Sequence, residues 1–274
     1  MNASWLTVER HGSGRPVVFL HGLLTDHRLW RKVVPALGDG VEAILPTLPI
    51  GSHPQPAPAG ADLSPPGLAR TIAELLEALD LRDVLLVGND TGGALAQLVA
   101  AHHPERLGGL VLTNCDAYER FFPPLFRPLQ LAAKVPGGTE AIVAALQVPG
   151  ARRLPIAYGK LSKRPIERAV TDAWATPSRH SAGIRRDLRA VLRGVDARHL
   201  LDALPRLRAF DKPVTLAWAR EDRAVFPPAL AERLAGDFPD ARIEWIEDSW
   251  TFVPEDQPER LATILRTAAL VSAQ

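Results

Sequence analysis

The sequence predicts an α/β fold: a mostly parallel central sheet flanked by helices and interrupted by one helical insertion. Three observations predict it. Short apolar runs such as Pro16-Val17-Val18-Phe19-Leu20 and Val84-Leu85-Leu86-Val87 read as strands buried on both faces. Helical periods separate these runs, as crossovers between parallel strands require. From about Tyr118 to Arg208 only helical periods and prolines occur, before a strand pattern resumes at Val214.

The elements follow in order. Trp5 to Glu9 reads as a short strand and His11-Gly12-Ser13-Gly14-Arg15-Pro16 as a turn. The buried strand Pro16 to Leu20 comes next, then helical spacing from His27 to Leu37 and a strand from Val41 to Leu45. Residues 46–63, rich in Pro, Gly and Ala, read as a long loop. Ser64 can cap a helix with Pro65 at its first position, and Leu68, Ile72, Leu75, Leu76 and Leu79 give that helix one apolar face. A strand from Asp83 to Val87 leads into a helix from Thr91 to His102, and Leu110 to Leu112 is a further strand. After the helical stretch come a strand (Val214 to Ala219), a helix (Pro228 to Leu234), a strand (Arg242 to Ile246) and a last helix (Pro258 to Val271). The expected organisation is one domain built from residues 1–117 and 209–274, with 118–208 inserted in it.

The chain has 274 residues, 46% hydrophobic and 23% charged, enough for a sizeable core. A net charge of +1, with acidic residues interspersed among the arginines, gives no electrostatic support to a nucleic-acid partner. Polar residues stand near the N-terminus where a signal peptide would need an apolar core, and no apolar run is long enough to span a bilayer. The single cysteine, Cys115, permits no internal disulfide. The expectation is a soluble, cytoplasmic protein without membrane partner, metal or cofactor, acting on a small molecule.

The chemistry is concentrated in Val87-Gly88-Asn89-Asp90-Thr91-Gly92-Gly93. A tight strand-to-helix turn forces its central residue into strained backbone and needs small neighbours so that strand and helix can approach. The central side chain then projects at the carboxyl end of the sheet, where open α/β sheets bind ligands. The helix N-terminus beneath it favours an anion.

With this elbow, Phe19-Leu20-His21-Gly22 followed by Trp30, His103-Pro104-Glu105-Arg106, Glu221-Asp222 and Phe252-Val253-Pro254-Glu255-Asp256-Gln257-Pro258-Glu259, the chain resembles the α/β-hydrolase fold superfamily over nearly its whole length. Aspartate at the elbow resembles the branch that contains epoxide hydrolases and haloalkane dehalogenases. The resemblance implies that Asp90 attacks an electrophilic carbon to form an ester. It implies that backbone N–H groups of Leu23 and Thr91 form the oxyanion pocket, that Asp222 is the acid that orients a catalytic histidine, and that 118–208 is a cap shaping the substrate site.

One position departs from that pattern. Where the family carries Gly-His, the register set by Val253-Pro254-Glu255 gives Trp250-Thr251. A threonine hydroxyl is far too weak a base to activate water near neutral pH. Several readings follow. The base is relocated, with His53 or His27 as candidates from loops on the expected side of the sheet. Alternatively Asp90 is itself a general base in an isomerase- or lyase-type reaction. The fold could also serve as a silent binder of small ligands. In a last reading Asn114, Cys115 and Asp116, after a core strand, supply an unfamiliar arrangement. Tyr118 and Trp250 are further candidates for contact with substrate. Dehalogenation fits poorly, because Leu23 and Thr91 stand where the family's halide-binding Asn and Trp would be. The leading expectation is hydrolysis of an epoxide- or ester-like electrophile through Asp90.

Overall fold

The computed structural model describes residues 5–270. The expected end of the last helix at Val271 lies outside them. A seven-stranded sheet runs through the molecule in the order β1-β3-β2-β4-β5-β6-β7. Its strands are β1 (Thr7–Gly12), β2 (Gly14–Leu20), β3 (Gly40–Thr47), β4 (Val84–Asp90), β5 (Leu107–Cys115), β6 (Val214–Ala219) and β7 (Ala241–Ile246). Only β1 is antiparallel to its neighbour; β2 through β7 pair in parallel. β4 and β5 lie at the centre and every residue in them is buried, which is why they read as unbroken apolar runs.

Helices cover such a sheet because parallel crossovers usually run through one; the β2–β3 connection, with only short 3₁₀ turns, is an exception. The covering helices are α1 (Pro65–Ala78), α2 (Thr91–His102), α8 (Pro228–Ala235), the single turn α9 (Val253–Asp256) and α10 (Pro258–Leu270). α1 starts as its sequence dictates: the Ser64 hydroxyl accepts the N–H of Gly67 and Pro65 occupies the first turn. α2 is apolar on all sides and buried from Thr91 to Ala101, because α1 and a later helix, Arg198–Leu207, pack against it as well as the sheet.

Between β5 and β6 lie α3 (Arg127–Ala132), α4 (Gly138–Leu146), α5 (Arg168–His180), α6 (Ala182–Gly194) and α7 (Arg198–Leu207), with no strand among the described residues. This segment is tied to the sheet domain at defined points. The Trp174 indole N–H donates to Asp26 at 3.0 Å. The rings of Tyr158, Trp174 and Phe252 meet edge to face. The Asp256 carboxylate accepts from the Ser162 hydroxyl and the backbone N–H groups of Lys163, Arg164 and Trp250.

Three elements differ from expectation. The stretch from His27 to Leu37 is two 3₁₀ turns, His27–Trp30 and Val34–Ala36, since Pro35 lacks an N–H and its ring obstructs a continuous helix. β1 runs on to Gly12, so the turn shrinks to Ser13 between two glycines with positive φ. β5 begins at Leu107, earlier than its apolar run suggests. Its glycine at 108 conceals the start, and a Cβ there would lie 1.8 Å from the Asp83 carboxylate.

Candidate active site

The elbow is built by close approach. Asp90 ends β4 with φ 54° and ψ −130°, a strained conformation that L-residues rarely adopt. A Cβ on Gly88 would lie 2.6 Å from the Gly92 carbonyl oxygen, and one on Gly92 would lie 2.3 Å from that of Leu20. Both positions therefore exclude any side chain. Asp90 makes no capping hydrogen bond to α2. Its carboxylate is free of the ordinary duty of an aspartate at a helix start.

The loop after β2 closes over it. A Cβ on Gly22 would sit 2.2 Å from Asp90 Oδ2, so this loop too must carry glycine. His21 holds the loop from below. The backbone N–H of Leu48 donates to its Nε2 at 2.8 Å, which leaves Nδ1–H to donate to the Gly22 carbonyl at 3.0 Å. Burial pushes the His21 pKa down to about 4, so the ring is neutral and structural. The N–H groups of Leu23 and Thr91 then face the Asp90 carboxylate and favour its ionised form. Burial opposes them and dominates, and with the nearby Asp222 charge it raises the Asp90 pKa to about 7.

A cavity of about 300 Å³ opens above Asp90. Its walls come from the loop after β2 (Leu23, Leu24) and from residues 122–161, among them Phe122, Ile142, Leu146 and Leu161. Asp90 and Tyr158 are its only lining side chains with a polar atom. The Tyr158 hydroxyl donates to the Leu24 carbonyl at 2.7 Å, which braces the loop that carries the Leu23 N–H.

Thr251 and Asp222 form a separate cluster. The Thr251 hydroxyl donates to Asp222 Oδ2 at 2.6 Å, and Asn114 Nδ2 donates to the same oxygen at 3.1 Å. The other oxygen accepts the N–H groups of Val225 and Phe226. Thr251 is fully buried and does not line the cavity. Asn89 Nδ2 donates to its carbonyl at 2.8 Å, tying this loop to the elbow strand.

The other candidates lie elsewhere. His53 is buried, with Nε2 against Asp187 on α6 at 3.2 Å and Nδ1 facing the Gly51 N–H, and it does not line the cavity. The ring fastens two segments together, and both its nitrogens are engaged. His27 lies between Thr47 and Glu9, at 2.8 and 3.0 Å. Tyr118 donates to Asp237 at 2.5 Å under the Arg233 guanidinium. Trp250 lies beneath the Lys160 ammonium. None of these three touches the cavity. Asn114 orients Asp222 and accepts the Ala219 N–H rather than meeting a ligand. Cys115 is buried and its thiol pKa is pushed well up, so it is no thiolate. Among the described residues, no group of three or more His, Cys, Asp or Glu is set to hold a metal ion, and no helix is long and apolar enough to cross a membrane.

Of the two tyrosines in or beside the helical insertion, Tyr158 and not Tyr118 lines the cavity; local spacing does not distinguish them. The apolar walls come from a stretch whose helical periods say which face is buried but not around what.

The chain matches the family described as alpha/beta hydrolase fold over residues 15–252. It belongs to that family. Haloalkane dehalogenase 2 of Mycobacterium tuberculosis is 27% identical, over 93% of this chain and 87% of that protein. The cis-3-alkyl-4-alkyloxetan-2-one decarboxylase of Shewanella oneidensis is 26% identical, over 97% of this chain and 85% of that protein. The crystal structure of a haloalkane dehalogenase from Bradyrhizobium elkani superposes with a TM-score of 0.78 at 21% identity, covering 96% of this chain and 93% of that one. At that identity the likeness speaks for the fold. The named relatives are enzymes, and this α/β-hydrolase-fold chain is read as one with them.

Proposed function

We propose that the chain is a hydrolase of a small, largely apolar electrophile with a strained oxygen ring, an epoxide or a cyclic ester, and that Asp90 is its nucleophile. One observation carries this: a carboxylate at the floor of an otherwise apolar cavity, faced by two backbone N–H groups and committed to no structural hydrogen bond of its own. Apolar walls hold the substrate and exclude water from the attacking oxygen. The Leu23 and Thr91 N–H groups hold the anion before attack and the tetrahedral oxyanion when the ester is opened. On this reading residues 118–208 are the cap, and the cytoplasm is the compartment.

In the first step a carboxylate oxygen of Asp90 attacks a ring carbon, the carbon–oxygen bond breaks towards oxygen, and an ester forms. In the second, water attacks the ester carbonyl and restores the carboxylate. The test is product and intact-protein mass in H₂¹⁸O with 1,2-epoxyoctane and a dialkyl β-lactone. Turnover that vanishes in Asp90→Asn supports the reading; unchanged turnover in that variant removes Asp90 from the chemistry.

The second reading rests on Thr251 together with the decarboxylase relative. Opening a four-membered lactone with loss of carbon dioxide consumes no water, and so needs no base for a hydrolytic step. Release of carbon dioxide and an alkene from the β-lactone, without ¹⁸O in the product, favours it over hydrolysis.

A further inference from the structure

The proposed hydrolase needs a group that activates water, and Thr251, bound to Asp222 outside the cavity, has no chemistry for it. His53 and His27 are engaged elsewhere. A third carboxyl lies beside the elbow. Asp116 follows β5, and in the ladder between β4 and β5 its neighbour Cys115 is paired with Asp90. Gln97, in the second turn of α2, fixes this segment by donating to the Asp116 carbonyl at 2.8 Å. The Asp116 side chain is wholly buried, yet both of its oxygens lack a hydrogen bond of good geometry from the protein. The Thr91 hydroxyl, which lies against it, is unpartnered in the same sense.

That is unusual for a buried carboxyl. Asp222 receives four donors, and Asp256 receives four, counting only those named above. Buried polar atoms are almost always partnered by protein or by ordered water, and one that is not costs about 1–3 kcal/mol. Beyond the Thr91 hydroxyl set against it, no protein donor accounts for placing Asp116 here. Asp116 does not line the cavity, so the water it handles would reach the Asp90 carbonyl carbon from the Thr91 side of the elbow rather than across the cavity.

We propose that Asp116 is the general base that delivers water to the Asp90 ester, with the Thr91 hydroxyl holding that water. The assignment rests on Asp90 being the nucleophile. The electrostatics give it an order of events. Two buried carboxyls side by side resist ionising together, and burial with the Asp90 charge holds the Asp116 pKa well above the ordinary range. In the proposed resting state the pair keeps one proton, on Asp116. Esterification removes the Asp90 charge. The proton passes to the oxygen released from carbon, which becomes a hydroxyl, and Asp116 is left ionised. Asp116 then takes a proton from water as the water oxygen bonds to Cγ of Asp90. The Cγ–O bond to the substrate breaks, and the departing oxygen takes the proton of the new carboxylic acid. Asp90 is again a carboxylate, Asp116 holds its proton, and one water has been added to the substrate.

Two probes separate the steps. With 1,2-epoxyoctane the wild-type protein should give diol and no lasting mass increase. With a dialkyl β-lactone opened at its alkyl carbon the leaving group is a carboxylate that needs no proton, so the first step is independent of Asp116, whose proton is lost to solvent once the Asp90 charge is gone. Asp116→Asn should then accumulate an adduct of the lactone's mass on Asp90 and release the hydroxy acid at least about 100-fold more slowly than the wild type, the usual worth of a general base. Release by Asp116→Asn within a few-fold of wild type overturns the assignment and leaves Asp90 as nucleophile. A wild-type protein inert to both probes overturns the nucleophile reading, and this assignment with it. Should Asp116→Asn not fold, ¹³C NMR of the aspartate carboxyls settles it. The Asp116 midpoint should fall by at least about one pH unit in Asp90→Asn; an unmoved midpoint shows the two carboxyls to be independent and overturns the proposal.

Discussion

The regions around Asp222 and around Asp90 contain the same functional group at the same end of one sheet, and they treat it in opposite ways. Asp222 is saturated: Val225, Phe226, Asn114 and Thr251 each donate to it, and it does not line the cavity above Asp90. Asp90 faces two backbone N–H groups and an apolar cavity, on a strained backbone. Hydrogen bonds that lock a carboxylate also spend its lone pairs. The saturated site stabilises the fold, and the under-satisfied one leaves its oxygens open to the cavity. Thr251 illustrates the exchange: its hydroxyl completes the Asp222 cluster and adds nothing to the cavity.

The contrast can be broken most sharply at Asp90. Asp90→Asn should lower turnover by at least about 10⁴-fold, since a nucleophile has no substitute. The same variant tests stability. A folded pKa of about 7, against an ordinary 3.8, means that the native state keeps a proton the unfolded state has lost. Stability should therefore fall as pH rises from about 4 to about 7 and level off above, by at most about 4 kcal/mol from this group. The raised pKa values of Asp222 and Asp116 act in the same direction, so the measurement is the difference between wild type and Asp90→Asn in urea unfolding at pH 5 and pH 8. An equal pH slope in both proteins would show that Asp90 is not strained by burial. In the wild type the rate of ester formation should rise with pH through about 7, as the carboxylate forms.

Gly22→Ala is next. Its Cβ would collide with Asp90 Oδ2, and displacement by about an ångström should cost turnover on the order of 100-fold with a small loss of stability. Asp222→Ala should do the reverse, destabilising by about 3 kcal/mol or more because its buried donors are left without an acceptor. Thr251→Val should cost about 1.5 kcal/mol and leave turnover within a few-fold. A loss of turnover comparable to that of Asp90→Asn would place Thr251 in the mechanism. Tyr158→Phe should be the mildest, about 1 kcal/mol by chemical denaturation, with a modest rise in KM as the Leu24 loop loosens.

Much of the fold was legible in the chain because its signals are local. Gly88, Asp90 and Gly92 announce the elbow through steric demands that hold within five residues. β4 and β5 announce themselves by apolar runs that only a doubly covered strand would carry. The site was legible only as far as those local signals reach. Asp90, Leu23 and Thr91 are placed by the elbow and by the loop after β2, and they meet in the structure. His53, His27 and Tyr118 were candidates because a loop position leaves a side chain's direction open. Each turns to a partner distant in sequence: Asp187, Thr47 and Asp237.

The sequence by itself determined the alternation of strand and helix and the elbow with its carboxylate, since each depends on neighbours in the chain. Only the tertiary structure decided which residues of 118–208 wall the cavity, that Asp222 is saturated, and that Asp116 lies buried and under-satisfied beside Asp90. Those facts depend on which groups meet across the sheet and the helical insertion. A carboxylate's chemistry is set by the donors and charges around it, and a linear sequence does not say which those are.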